Sequence, residues 1–142
     1  MDSVLAFEEV EEGGVGKFLA LDGRRIHSLE DFWLVMGEAV NGPGGYFGRN
    51  LDAFNDCLRG GFGTPNDDDF AVEWHDHTYS QRALGHTETA RQLEIRLERC
   101  HHANRPRVAE ELAAARASKG PTVFDWLLEI FHDQVPGALV LR

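Results

Sequence analysis

Basic residues are scarce in this chain of 142 residues. It has 14 Lys and Arg against 24 Asp and Glu, which gives a formal net charge of -10. Proteins that bind nucleic acid need clustered basic side chains to meet the phosphates, so this balance argues against a direct nucleic-acid partner. A net negative charge speeds encounter with a basic partner, although it can also simply keep a protein in solution.

Long apolar runs and cysteines are also few. No stretch approaches the roughly 18–20 apolar residues that span a bilayer. The first residues, MDSVLAFEEVEEGG, are acidic and lack the basic start of a signal peptide. The two cysteines, Cys57 and Cys100, are too few for a disulfide framework. We therefore expect a cytoplasmic protein with free thiols and no membrane partner.

The remaining composition is that of one globular domain. Hydrophobic residues make up 42% of the 142 residues, enough to bury a core. Short apolar segments predict three strands, and apolar residues spaced by three or four predict helices between them. We expect one α/β domain over 1–142, with a small three-stranded parallel sheet packed against helices. The strands are expected at about 17–21, 70–74 and 138–142, the main helices at 28–40, 50–58 and 121–134, and an acidic lead-in at 1–16.

The stretch from 78 to 121 precedes the last predicted helix. Residues 78–86 are polar and are predicted to be irregular. Two helical patterns follow, TETARQLEIRLERCHHAN and RVAEELAAARASKG, with Arg105-Pro106 between them. They predict an inserted helical hairpin at 87–120, outside the core sheet.

The second predicted helix carries the most informative pattern. Asp52 and Asp56 are four residues apart, a spacing at which like charges repel by roughly 0.2–0.5 kcal/mol. At 100° per residue, Leu51, Phe54 and Leu58 share one face and both aspartates lie on the other. The helix dipole favours an anion in the first turn, which explains Asp52 but not Asp56. A positively charged partner would explain both; a solvated helix face is the alternative.

The loop before this helix, GPGGYFG, sets two aromatic rings among glycines. Tyr is enriched at binding hot spots, so Tyr46 is a candidate contact with a partner. One of the two rings is expected to fill the core beneath the loop, and Phe47 is the better candidate. Asn50 is expected to cap the helix that follows.

The segment YFGRNLDAFNDCL resembles the signature of the barstar family, the intracellular inhibitors of secreted guanyl-preferring ribonucleases. LDGRRIHSLEDF, FAVEW and the final LLEIFHD…ALVLR are similar to flanking elements of that family, so the resemblance covers about 17–77 and 122–142. It implies a three-stranded parallel sheet packed against helices. It also implies a protein that plugs a ribonuclease active site with acidic side chains in place of substrate phosphate.

Several residue roles follow from this resemblance. Asp52 and Asp56 would be the two inhibitory carboxylates, and Tyr46 would pack on the catalytic histidine of the enzyme. Gly48 would let the loop backbone approach the enzyme closely, and Asp133 falls where the family carries a glutamate on its last helix. The expected partner-binding residues are Tyr46, Phe47, Gly48, Asn50, Asp52, Asn55, Asp56 and Asp133.

The chain departs from the family pattern in three places. Asn55 stands where the type member has a tryptophan, and Arg49 stands where it has an acidic residue. The stretch at 78–121 is longer than the family minimum. The first two departures point to a target other than the type ribonuclease.

Two other functions stay open. A module with this fold could bind a partner that is not a ribonuclease, and paired carboxylates can act as acid and base in a glycoside hydrolase. The sequence has no P-loop, GxGxxG motif or Ser/His/Asp order. Its runs of potential metal ligands lack the spacing of a structural zinc site; they are His75, Asp76 and His77, and Cys100, His101 and His102. We expect a non-enzymatic, stoichiometric inhibitor of a basic ribonuclease or nuclease toxin, without cofactor or metal.

Overall fold

The computed structural model of the protein describes residues 7–9, 17–60 and 70–142. Two short 3-10 turns lie at Gly23–Arg25 and His102–Asn104. The elements in chain order are β1 (Phe7–Glu9), β2 (Lys17–Asp22), α1 (Leu29–Asn41), α2 (Leu51–Arg59), β3 (Phe70–His75), α3 (His77–Ala83), α4 (His86–Arg99), α5 (Arg105–Arg116), α6 (Val123–Gln134) and β4 (Leu139–Leu141).

The four described strands form one sheet in the order β1-β2-β3-β4. Strands β2, β3 and β4 are parallel, with Val72 of β3 paired to Leu19 on one side and to Leu139 on the other. This confirms the predicted small α/β fold. Strand β1 was not predicted: it pairs antiparallel with β2 inside the segment expected to be only a lead-in. Its pairing covers backbone groups of β2 that an edge strand would leave open.

The main core lies between the sheet and helices α1, α2 and α6. Phe54 of α2 is fully buried at its centre. Its ring meets Phe32 of α1 at 5.3 Å and Phe131 of α6 at 5.4 Å, both edge to face, the arrangement that aromatic pairs prefer. These contacts fix the orientation of α2, the helix that carries Asp52 and Asp56.

Side-chain caps set the starts of the three predicted main helices. Ser28 accepts a hydrogen bond from the Asp31 backbone N–H at the start of α1, at 3.2 Å. Asn50 caps α2, as predicted, and Thr122 begins α6 with a full capping box. Each cap satisfies an N–H group that the helix itself leaves unpaired, so the sequence determines these boundaries locally.

The prediction that 78–86 is irregular is wrong, because helix α3 occupies His77–Ala83. Ser80 is fully buried in this helix. Its hydroxyl donates to the Gly23 carbonyl at 2.7 Å and accepts from Trp74 Nε1 at 3.0 Å. Buried hydrogen bonds to distant residues therefore anchor a segment that has no apolar stripe of its own.

Helices α4 and α5 pack around a small core of their own, formed by Leu93, Val108, Leu112 and Ala115. Trp126 of α6 packs against both this core and the main one. Among the described residues, none between 87 and 120 belongs to the main core. This arrangement supports the helical insertion at 87–120, which remains a prediction.

We expect a chain with a short linker in place of 87–120 to fold cooperatively, with a lower melting temperature. Loop length changes the closure entropy only slowly. The loss in stability should come from Glu88 and Thr89, which accept hydrogen bonds from the backbone N–H groups of Leu29 and Val123 at 3.0 and 2.8 Å. Thermal unfolding followed by circular dichroism measures this. A shortened chain without a cooperative transition would place the hairpin in the core.

Glu88 ties the start of α4 to the start of α1. Its side chain is only 8% exposed. Besides the Leu29 N–H, it accepts hydrogen bonds from Arg91 Nε at 2.8 Å and Gln92 Nε2 at 3.0 Å. Burial favours the neutral acid, but these donors outweigh it, so the pKa of Glu88 lies below its usual value. The carboxylate is therefore a stabilising charge.

Glu88→Gln is expected to lower the melting temperature at neutral pH, by an amount that shrinks on acidification. The folded-state pKa lies below the unfolded value of about 4.3. The stabilisation is thus complete above pH ~4.3 and is lost as the pH falls through the folded-state pKa. Thermal unfolding between neutral pH and pH ~3 tests this, with Glu110→Gln on the exposed face of α5 as control. A difference in melting temperature between parent and variant that does not change with pH would show that the shape of the side chain matters and its charge does not.

Candidate functional site

The candidate site is the outer face of α2 together with the loop before it. Phe54 and Leu58 are buried, whereas Asp52 and Asp56 are exposed, as the helical spacing predicts. The Asp56 side chain is 68% exposed and pairs with Arg59 at 3.2 Å. An exposed ion pair contributes about 0–1 kcal/mol, so it is easily rearranged. Both carboxylates are therefore accessible to a partner.

The two aromatic residues of the loop have opposite positions. Phe47 is 6% exposed and its ring meets Phe54 at 6.1 Å, which confirms that it fills the core beneath the loop. Its expected contact with a partner stays a prediction, and little of the ring is exposed for it. Tyr46 is 51% exposed, and the guanidinium of Arg49 lies 5.8 Å from its ring centroid. Tyr46 is the ring that this loop presents at the surface.

Gly48 is required for the packing of the loop against α2. It is buried with φ +94°, and a Cβ there would lie 2.7 Å from the Cα and N atoms of Phe54. The absence of a side chain thus lets the loop pack on the first turn of α2. The sequence-based expectation gave Gly48 a different role, close approach to an enzyme, whereas the close approach in the structure is to the chain's own helix.

The other predicted site residues are partly engaged within the fold. Asn50 accepts a hydrogen bond from the Ala53 N–H at 2.8 Å as the cap of α2. Asn55 is half-buried, and its Oδ1 accepts a hydrogen bond from Gln134 Nε2 at 3.0 Å, so this side chain is already engaged within the fold. This bond joins the middle of α2 to the end of α6, where Asp133 is exposed. Asp133 therefore lies on the element that packs beside the acidic helix.

The described residues contain no group of three or more His, Cys, Asp or Glu side chains placed to hold a metal ion. Within the same part of the chain, no helix is long and apolar enough to cross a membrane. The outer face of α2 and the loop before it offer two exposed carboxylates and one exposed ring. Such an arrangement can meet cations of another molecule.

Comparison with protein-family models gives a match to Barstar, described as barnase inhibitor, over residues 16–109. This is about two thirds of the chain, from the start of β2 into α5, and it includes α2 and its loop. The match includes 78–109, most of the stretch interpreted as an insertion, and ends before α6, β4 and Asp133. No curated protein and no solved structure matches the chain.

Proposed function

Because the chain belongs to the barstar family, we propose that it is a stoichiometric inhibitor of a secreted or toxin ribonuclease. Asp52 and Asp56 meet the cations with which the nuclease binds substrate phosphate, and Tyr46 packs beside them. One observation carries the proposal: the opposite face of α2 is locked into the aromatic core through Phe54. The helix therefore cannot rotate to hide its carboxylates, and they are held ready for a partner.

A stoichiometric inhibitor that occupies the active site and an enzyme that acts catalytically on its target give different titration curves. We would titrate the protein into secreted guanyl-preferring ribonucleases, barnase included, while following RNA hydrolysis. With its target, activity should fall linearly to an end point near equimolar protein. The Asp52→Ala, Asp56→Ala double variant should not inhibit at the same concentration. Inhibition that persists unchanged in the double variant would exclude α2 as the inhibitory surface.

A second candidate is a barstar-fold module whose partner is not a ribonuclease. Two observations favour it: Arg49 is exposed beside Tyr46, and Asn55 is turned towards Gln134. Affinity capture with purified nuclease and toxin domains separates the two functions. The third alternative, a hydrolase, gains no support, because Asp52 and Asp56 share one exposed helix face. Acid and base roles need two environments that drive the pKa values apart.

The association rate with the target nuclease should fall by about tenfold or more between low and high ionic strength. A net charge of -10 attracts a basic enzyme, and dissolved salt screens that attraction within a Debye length. Stopped-flow fluorescence at several salt concentrations gives the rate, and the dissociation rate should change less. An association rate that is flat across the salt series would show that electrostatic attraction does not drive encounter.

A further inference from the structure

A groove of about 850 Å³ separates the starts of α1 and α2 from the last turns of α4. Three arginines line it: Arg49, Arg96 and Arg99. Within the described part of the chain, none of the three forms an ion pair. The arginines that do have an acidic partner are Arg25, Arg59, Arg91, Arg107, Arg116 and Arg142. Arg24, Arg82 and Arg105 also lack an ion pair among the described residues, but they do not line this groove. The groove therefore gathers three of the six described arginines without an acidic partner.

The acidic side chains of the groove do not cancel this charge. Glu30 is already bonded to Arg91 and Gln92. Asp52 is exposed at the edge, on the first turn of α2. The groove thus keeps an excess of positive charge, and Trp33 and Ile95 give it apolar lining.

The helix dipole favours the position of only two of the three arginines, although the Arg49 guanidinium also lies 5.8 Å from the Tyr46 ring centroid. Arg96 and Arg99 lie in the last turn of α4, where the helix dipole favours cations, and Arg96 also lies 5.3 Å from the Trp126 ring centroid. Arg49 has the opposite setting. It directly precedes Asn50, the cap of α2, so it stands at the positive end of a helix. An anion bound in the groove would offset this unfavourable position.

We infer that the groove binds an acidic segment of the partner nuclease, with Asp or Glu carboxylates on the three guanidinium groups. This rests on the proposed function. Asp52 borders the groove and belongs to the acidic face of α2, so a partner that covers this face extends into the groove. Guanidinium groups match carboxylates in a bidentate geometry. A nucleic acid fits less well, since its phosphates would continue past Asp52 to Asp56, whereas a folded partner can place cations against these two carboxylates.

Such a partner carries charges of opposite sign side by side. Its active-site cations face α2, and an acidic segment next to them faces the groove. Arg49 would repel a nuclease that carries a cation at that place. The groove therefore selects among nucleases that the acidic helix alone would not distinguish.

A peptide titration tests the groove without the nuclease. We would add hexaglutamate to the isotope-labelled full chain at low salt and follow the arginine Nε–Hε NMR signals. Saturable shifts are expected at Arg49, Arg96 and Arg99, with no shift at Arg107 or Arg116 and none with hexaglutamine. Shifts spread equally over all exposed arginines would overturn the inference. Saturation of the same three signals by inorganic phosphate but not by hexaglutamate would overturn it as well.

Charge reversal separates this inference from the proposed function. With the target nuclease, Arg99→Glu should weaken binding at least about tenfold, whereas Arg107→Glu on α5 should have no effect. If Asp56→Ala weakens binding and Arg99→Glu does not, or tightens it, the groove inference is wrong and the proposed function stands. If Asp56→Ala has no effect, the proposed function fails. The free Arg99→Glu chain should melt slightly below the parent, because the last turn of α4 favours a cation, so binding is compared at a temperature at which both chains are folded.

Discussion

Asp56→Ala weakens binding of the target nuclease by about 2–5 kcal/mol while the free protein melts at nearly the same temperature: this is the largest effect we expect on function. In the free protein, Asp56 is exposed and its pair with Arg59 is a surface ion pair. Removing it costs little and also removes repulsion from Asp52. In the complex, a desolvated cation of the nuclease would be left unpaired.

Neighbouring substitutions make this expectation specific. Asp52→Ala should weaken binding less and also lower the melting temperature, because Asp52 stabilises the start of its own helix. Asn55→Ala should act mainly on stability, since it breaks the hydrogen bond with Gln134. Glu111→Ala on α5 removes another exposed, ion-paired carboxylate and is the control for binding.

Binding kinetics and thermal melting of the same variants give the answer. Dissociation from the nuclease should become faster by a larger factor than association becomes slower. If Asp56→Ala binds as tightly as the parent, α2 is not the inhibitory face. If it melts far below the parent, the carboxylate stabilises the fold and is not reserved for a partner.

The sequence predicts the elements whose signals are local. Helices α1, α2 and α6 combine a capping residue with an apolar stripe, and the parallel strands are short apolar runs. Strand β1 is three residues with two glutamates, and it is defined only by its pairing with β2. Helix α3 is defined by Ser80, which bonds to residues on two other elements. Neither element can therefore be predicted from a local pattern in the sequence.

The same limit applies to the candidate site. The direction of Asp52 and Asp56 follows from helix geometry and the apolar face opposite them. The orientation of Asn55 depends on Gln134, which is 79 residues away in sequence. Arg49 and Arg99 meet in one groove only because α4 packs beside the starts of α1 and α2. Spacing along the chain predicts single faces, and it cannot show which faces come together.

The glycine before α2 has the largest expected effect on stability. Gly48 has φ +94°, a conformation that costs an L-residue about 1–2 kcal/mol. A side chain there would also lie 2.7 Å from backbone atoms of Phe54. Backbone cannot move aside as a flexible side chain can, so either the loop or the first turn of α2 must shift. That turn carries Asp52, and the loop carries Tyr46 and Arg49.

Gly48→Ala should therefore lower the free energy of unfolding by roughly 2–4 kcal/mol and also weaken binding by the molecules that stay folded. Gly44→Ala is the matched control: it has φ +74° in the same loop, and no atom lies within 4 Å of a Cβ built there. Its cost should be about 1–2 kcal/mol, from backbone conformation alone. Urea unfolding gives the loss in free energy of unfolding for each variant. The difference between the two losses measures the cost of the contact with Phe54. Equal losses in the two variants would show that the approach of the loop to α2 is not tight, and that Gly48 is needed only for its backbone angle.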